Sequence, residues 1–219
     1  MSDETFPLTS RKSLPSPLYA ILDPSQSKDR PAIRILTDLL TGGAKLVQLR
    51  TKEMSSNEFY RLAVEARELT RQAGCLLIIN DRVDIAMASH ADGVHLGQED
   101  LPLAIARRLM GKEKLIGIST HDLAQVQEAE RGGADYIGFG PIFGTATKDT
   151  GYSARGLTML REVRKVVKIP IVAIGGITED NVAQVWAAGT DSAAIISDIM
   201  KAEDIAEKVR KILAGRRAL

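Results

Sequence analysis

Arg50 and Lys52, two cations closing the run Val47-Gln48-Leu49-Arg50-Thr51-Lys52, are the residues from which a chemistry can first be read. Valine and leucine alternate there with glutamine, arginine and lysine, so in a β-strand Gln48, Arg50 and Lys52 project from one face. Positive charges aimed into a fold are costly unless an anion meets them, and a phosphate or diphosphate is the simplest anion to do so. A strand end running into solvent, with both side chains as surface charges, explains this segment equally well when it is taken alone.

Polar residues gather after other apolar runs in the same way. Ile78-Ile79 leads into Asn80-Asp81-Arg82, and Leu96 into Gly97-Gln98-Glu99-Asp100 ahead of Leu101-Pro102. Taken singly, Asp81 or Asn80 reads as a helix N-cap, and so does Asp100, with proline in the first turn. As a pair beside an anion held by Arg50 and Lys52, Asp81 and Asp100 also suit Mg²⁺, which takes one or two carboxylates together with waters and phosphate oxygens. Ser119, in Ser119-Thr120-His121-Asp122, is either a cap or a hydroxyl that donates to a phosphate oxygen. Its surroundings are not the Gly-x-Ser-x-Gly turn of a serine nucleophile. The breaker-rich stretch from Gly140 to Gly156 carries Thr145, Ala146, Thr147 and Lys148, two hydroxyls and a cation in one loop, and loops of that length usually have a function. Gly175-Gly176 ahead of Ile177, and Ser197 after Ile196, stand where helix N-termini would follow, so their backbone N–H groups offer a second anion site. His95, in Gly93-Val94-His95-Leu96, reads as a core histidine, because no second histidine stands at metal-ligand spacing.

The elements that must position these residues alternate along the chain. Short apolar runs at Leu18 to Leu22, Lys45 to Leu49, Leu76 to Ile79, Gly93 to Leu96, Leu115 to Ile118, Tyr136 to Phe139, Ile171 to Ile174 and Ser192 to Ile196 read as strands. Between them, Ser56 to Ala73, Leu101 to Met110, Leu123 to Arg131, Leu157 to Val167, Glu179 to Ala188 and Ile205 to Leu213 show apolar residues three and four apart, as amphipathic helices do. Eight such units imply parallel strands that close into an α/β TIM (β/α)8 barrel as a single domain over residues 17–219. An open doubly wound sheet is the other architecture this pattern permits. Gly42-Gly43-Ala44, Gly132-Gly133-Ala134-Asp135 and Ala188-Gly189-Thr190-Asp191 each precede an apolar run, with Ala91-Asp92-Gly93 as a relative, and this echo reads as shared turn chemistry. Residues 1–16 are polar, carry Pro7 and Pro15 and hold no apolar segment, so they are expected to be a flexible N-terminal arm, neither signal peptide nor membrane span. With 29 Lys and Arg against 28 Asp and Glu, a net charge of +1 supplies no general field for nucleic acid or membrane, so any anion must be held locally. The single cysteine, Cys75, excludes an internal disulfide and a cysteine-rich zinc site and fits a reducing, cytoplasmic setting.

At this point the chain resembles the thiamin phosphate synthase family from about Leu18 to Ile199. The matching segments are Gln48 to Lys52, Ile79-Asn80-Asp81-Arg82 with Asp84, Ala91 to Asp100, Ile116 to Ser119, Asp135 to Gly138 with Gly140 to Phe143, Thr145 to Lys148, and Ala173 to Ile177. The resemblance implies a transferase of thiamine biosynthesis that joins an aminopyrimidine methyl diphosphate to a thiazole ethyl phosphate and releases diphosphate, with Mg²⁺ as cofactor and small molecules as its partners. It implies a pyrimidine diphosphate site at Gln48, Leu49, Arg50, Thr51, Lys52, Asn80, Ser119 and Lys148. Within that set Arg50, Lys52, Ser119 and Lys148 would act on the leaving group. It implies metal ligands at Asp81 and Asp100, and a thiazole phosphate site at Thr145, Ala146, Thr147, Gly176, Ile196 and Ser197. The chain departs from the family at Gly144, where proline is common, at Leu22, where threonine is common before the aspartate, and at Asp198, where a small apolar residue is usual and a carboxylate would repel a phosphate unless turned away. Two rivals share the fold: a thiazole tautomerase with His121 as acid or base, and an idle barrel that only binds. The first leaves Asp81, Asp100 and the cations without a purpose; the second predicts the loss of a carboxylate or of Lys148, and all are present.

Overall fold

Tyr19 and Ile21 on one side of a five-residue run, and Leu18, Ala20 and Leu22 on the other, are all buried. A strand covered on both faces belongs inside a parallel sheet rather than at a solvated edge. The computed structural model describes residues 13–27, 30–144 and 153–217. Its strands are β1 (Leu18–Leu22), β2 (Leu46–Leu49), β3 (Leu76–Asn80), β4 (Gly93–Leu96), β5 (Leu115–Thr120), β6 (Tyr136–Phe139), β7 (Ile171–Ile174) and β8 (Ser192–Ile195). Each pairs in parallel with the next and β8 pairs with β1, so the sheet is a closed eight-stranded barrel with no edge. The open-sheet alternative is thereby excluded. The expected bounds agree within two residues, and those of β1, β4, β6 and β7 are identical.

The helices form the outer layer: α1 (Ala32–Thr41), α2 (Ser56–Gln72), α3 (Val83–Ala88), α4 (Leu103–Met110), α5 (Leu123–Arg131), α6 (Gly156–Val166), α7 (Val182–Ala187), α8 (Ser197–Met200) and α9 (Ile205–Arg217). α2 opens on a capping box, in which the Ser55 hydroxyl accepts from the Glu58 N–H and the Glu58 carboxylate accepts from the Ser55 N–H. α7 starts later than the helical pattern at Glu179 suggested, because the Asn181 side chain accepts from the Thr178 N–H and holds 178–181 in a turn. Strand residues alternate between two apolar clusters. Val47, Leu49, Leu77, Ile79, Val94 and Leu96 join the helices in the outer one, while Tyr19, Ile21, Leu46, Ile78, Tyr136, Val172 and Ala194 fill the interior. Glycines on three adjacent strands make that filling possible. A Cβ on Gly117 would lie 2.1 Å from the Tyr136 ring, and one on Gly138 would lie 2.9 Å from the His95 ring.

The recurrent Asp of the sequence echo does one job three times at the bottom of the barrel. Asp92, Asp135 and Asp191 stand just before β4, β6 and β8, and each accepts the N–H that opens or nearly opens the preceding strand: Leu77, Ile116 and Ile171, all at 2.8 Å. Each also pairs with an arginine of the helix two units back: Arg67 at 3.0 Å, Arg107, and Arg164 at 2.9 Å. The staple therefore recurs with every second unit. The arm is tied down at its end: Ser16 is buried with its Oγ accepting from the Leu18 N–H at 3.1 Å, Leu14 packs on the interior cluster, and the Pro17 carbonyl accepts from the Trp186 indole at 3.0 Å. Of the expected arm, residues 1–12 lie outside the described residues.

Asp135→Ala leaves the Arg107 guanidinium and the Ile116 N–H without that partner, and should cost about 3 kcal/mol of stability. The same change at the more exposed Asp191 should cost visibly less. Urea unfolding of the two variants checks the order.

Candidate active site

At the C-terminal ends of the strands the interior opens into a cavity of about 1070 Å³, mouth included. Its apolar lining is Tyr19, Ile21, Val172, Ile174 and Ala194, which form the floor; its walls bring in Gln48, Arg50, Asn80, His95, Ser119 and His121. A few convergent polar groups over an apolar floor, at this face of a barrel, suit a small-molecule ligand.

Arg50 extends the β2 ladder, its N–H donating to the Leu22 carbonyl at 3.0 Å, so its side chain emerges on the same face as Gln48. The guanidinium is 12% exposed and forms an ion pair through Nη1 with Asp23, whose side chain is 2% exposed. The other carboxylate oxygen of Asp23 accepts from the Ser25 N–H at 3.1 Å and hydroxyl at 2.7 Å. A buried cation is thus met by an anion of the protein, while a guanidinium with five N–H donors keeps others for a ligand.

Across the cavity runs a chain of hydrogen bonds. The Gln48 amide donates to the Tyr19 hydroxyl at 3.0 Å, Tyr19 and Tyr136 hydroxyls meet at 2.9 Å, Tyr136 lies 3.2 Å from His95 Nδ1, and His95 Nε2 lies 2.9 Å from Ser119 Oγ. Burial pushes the Tyr19 phenol well above the ordinary tyrosine range. It does the same to Tyr136, with the neighbouring Tyr19 adding to the effect, so both stay protonated.

The far wall is backbone. Gly175 and Gly176 have φ of 100° and 63°, and a Cβ on Gly176 would lie 2.6 Å from the Gly144 carbonyl, so only glycine fits this left-handed pair. The Ile142 and Phe143 N–H groups donate to the Ile174 and Gly175 carbonyls, and the Asn181 amide donates to the Gly176 carbonyl at 2.9 Å, which fixes the loop. Gly176, Ile196 and Ser197 reach the cavity from this side.

Residues 18–199 match the thiamine monophosphate synthase family. The chain belongs to that family. It is 47% identical over 197 residues to the thiamine-phosphate synthase of Chloroflexus aurantiacus, covering 90% of this chain and 91% of the relative. Against the thiamine-phosphate synthase of Moorella thermoacetica the identity is 46%, over 89% of this chain and 93% of the relative. The solved thiamine phosphate pyrophosphorylase of Pyrococcus furiosus superposes with a TM-score of 0.85 at 36% identity, over 92% of this chain and 96% of that one. The recognition made from motifs therefore stands, as does the enzyme class: the family makes transferases of thiamine biosynthesis.

Within this family member the structure brings together seven of the expected residues, Gln48, Arg50, Asn80, Ser119, Gly176, Ile196 and Ser197, around one cavity. Others fall elsewhere. Leu49 points the opposite way into the outer core at 1% exposure, because its neighbour Gln48 faces inward. Lys52 does not share the face of Gln48 and Arg50: the strand has ended, and Lys52 sits exposed in a bend outside the cavity lining. Thr51 is half-buried, its hydroxyl without a hydrogen-bond partner among the described residues. Thr145, Ala146, Thr147 and Lys148 lie outside the described residues. Asp81 follows β3 at φ 61°, a left-handed conformation that aspartate tolerates better than most side chains, and its N–H donates to the His95 carbonyl at 2.8 Å. Asp100 curls back so that Oδ2 accepts from the Gly97 N–H at 2.6 Å, a turn that a Cβ on Gly97, 3.1 Å from that oxygen, would crowd. Neither aspartate caps its helix, since Arg82 and Pro102 hold those positions.

Asp23, Tyr19, Tyr136 and Asn181 were not singled out from sequence, and His95, read as a core residue, lines the cavity. The alternation Gly93-Val94-His95-Leu96 did put His95 on the inward face. His121 also lines the cavity, with Nδ1 2.7 Å from the Gly140 carbonyl. The expected conflict at Asp198 is resolved: its Oδ2 accepts from the Glu179 N–H at 2.9 Å and its Oδ1 faces Lys208 at 3.4 Å. Burial opposes the Lys208 charge, but the hydrogen bond to Glu179 and the charge of Asp198 outweigh it and hold the ammonium above its ordinary range.

Asp23→Ala removes the anion that meets a nearly buried guanidinium and should destabilise the fold by about 3 kcal/mol. Chemical denaturation against the parent measures it, and a loss under about 1 kcal/mol would show the pair to be solvated.

Proposed function

We propose that this chain condenses an aminopyrimidine methyl diphosphate with a thiazole ethyl phosphate to give thiamine monophosphate and diphosphate. The observation that supports the reading is one cavity that gathers residues from both of the expected anion-binding sets. Gln48, Arg50, Asn80 and Ser119 come from the ends of β2, β3 and β5, and Gly176, Ile196 and Ser197 follow β7 and β8. The first set would take the pyrimidine and its diphosphate, with Lys52 and Lys148 adding positive charge. The second, with Thr145, Ala146 and Thr147, would take the thiazole phosphate through hydroxyls and backbone N–H groups.

The chemistry asks little of acids and bases. The C–O bond to the diphosphate breaks with its electron pair on the departing oxygen, and the electron-rich aminopyrimidine stabilises the methylene cation. The thiazole nitrogen lone pair then forms the new C–N bond. Arg50, Ser119 and Lys148 would bear on the leaving oxygens, and the cavity walls would align the two rings face to face. Asp81 and Asp100 offer hard carboxylate oxygens on neighbouring strand ends, the donor set Mg²⁺ takes when substrate phosphates complete its shell. Among the described residues no group of three or more acidic, histidine or cysteine side chains could by itself hold a metal ion. When bound, the ion supplies positive charge against the diphosphate. With this reading goes a cytoplasmic enzyme acting on small molecules, without nucleic acid or membrane partners; no helix among the described residues is long and apolar enough to cross a membrane.

Diphosphate release should require both substrates and Mg²⁺. Asp81→Asn, which keeps a side chain suited to the left-handed backbone while removing its charge, should lower turnover roughly a hundredfold with normal unfolding, and Lys148→Ala should do the same. Release from the pyrimidine substrate that is indifferent to Mg²⁺ and to both variants would refute the assignment.

A further inference from the structure

The hydrogen-bond chain across the barrel has a direction, and that direction ends on Ser119. Each tyrosine hydroxyl has one proton to give. The Gln48 amide donates to Tyr19, so the Tyr19 proton goes to Tyr136, and the Tyr136 proton goes to His95 Nδ1. With Nδ1 accepting, a neutral imidazole carries its proton on Nε2 and donates it to Ser119 Oγ at 2.9 Å. Ser119, its oxygen already accepting, has its own proton left to give.

We propose that Gln48, acting through Tyr19 and Tyr136, holds His95 as the neutral Nε2–H tautomer and thereby makes the Ser119 hydroxyl a hydrogen-bond donor toward a bound anion. Tyr19 and Tyr136 are positioning residues: they are fully or almost fully buried in the interior, and along this chain they act on Ser119 by way of His95. The opposite direction would need the Gln48 carbonyl oxygen, in place of its N–H, turned to Tyr19, because the Tyr19 proton would otherwise be stranded in an apolar interior. It would also turn Ser119 into a donor to the histidine. Glycines keep the chain in place: Gly117 leaves room for the Tyr136 ring, and Gly138 for the His95 ring, which stacks on Tyr136 at 29°.

The tautomer can be read directly. The chain has three histidines, so ¹⁵N spectra of the full-length protein labelled at histidine nitrogens can be assigned by comparison with His95→Asn. The parent protein should show His95 as neutral Nε2–H. Gln48→Glu places an acceptor at the head of the chain and should convert His95 to Nδ1–H, and Tyr136→Phe removes the donor to Nδ1 and should give a mixture of tautomers. Tyr136→Phe should also lower kcat roughly tenfold, the scale of one hydrogen bond, with the KM for the thiazole phosphate unchanged. A parent protein with His95 charged or as Nδ1–H at neutral pH, or an Nε2–H tautomer unmoved in both folded variants, overturns the proposal. The part concerning Ser119 and the anion rests on the function proposed above, but the tautomer is read without substrate, so a failed spectrum and a failed synthase assay are distinguishable.

Discussion

Closing a parallel sheet on itself places every second side chain in a space that must be filled without voids and without stranded polar groups. This chain meets that constraint asymmetrically. Gly117 on β5 and Gly138 on β6 carry no side chain into the interior, and the vacated room takes the Tyr136 and His95 rings. A Cβ at Gly117 would overlap the Tyr136 ring, so glycine and tyrosine on adjacent strands form one packing unit. The aromatic groups bring polar atoms into an apolar space. Those atoms are satisfied by one another, and the last of them, Ser119, stands at the rim where a ligand can meet it.

The two ends of the barrel spend their charges differently. At the bottom, Asp92, Asp135 and Asp191 each take a strand N–H and an arginine, a local arrangement that locks strand to strand and strand to helix. At the top, Asp23 holds Arg50, and Asp198 with Glu179 holds Lys208, so these three carboxylates are committed to cations. It is the bottom that carries stability and the top that carries chemistry, the usual division of labour in this architecture.

Much of this was legible in the residues themselves, and the limits have physical causes. Strands buried on both faces are continuous apolar runs, and their spacing announced the barrel. Period-2 alternation placed Gln48 and Arg50 correctly because both lie on the β2 ladder, and failed at Lys52 because the chain leaves that ladder before reaching it. Leu49 was drawn in by contiguity with a binding motif, although a strand turns alternate side chains away from one another. His95 was weighed for partners at metal-ligand spacing in the sequence, whereas its partners come from other strands. Tyr19 and Tyr136 are 117 residues apart and meet only because β1 and β6 face each other across a closed barrel. Asp23 was invisible for the same reason, its partner lying 27 residues on. Local pattern reports which face a residue takes; closure decides whom it meets there.

Arg50 shows how that closure prepares a site. An isolated guanidinium held in a largely apolar cavity would favour disorder, solvent entry or a shift away from the binding pose. Pairing with Asp23 removes that penalty in the empty protein, and the Ser25 N–H and hydroxyl fix the carboxylate so that it in turn fixes the arginine. The guanidinium then presents its remaining donors at a defined position, and an arriving anion meets a charge that does not have to be reoriented. Electrostatic stabilisation of a leaving group is effective when the charge is in place beforehand, because reorganisation would otherwise consume part of the interaction. The ion pair lowers the net charge the anion sees but raises the order of the donors it meets. For a chain with a net charge of only +1, local order of this kind stands in for a general field toward anions.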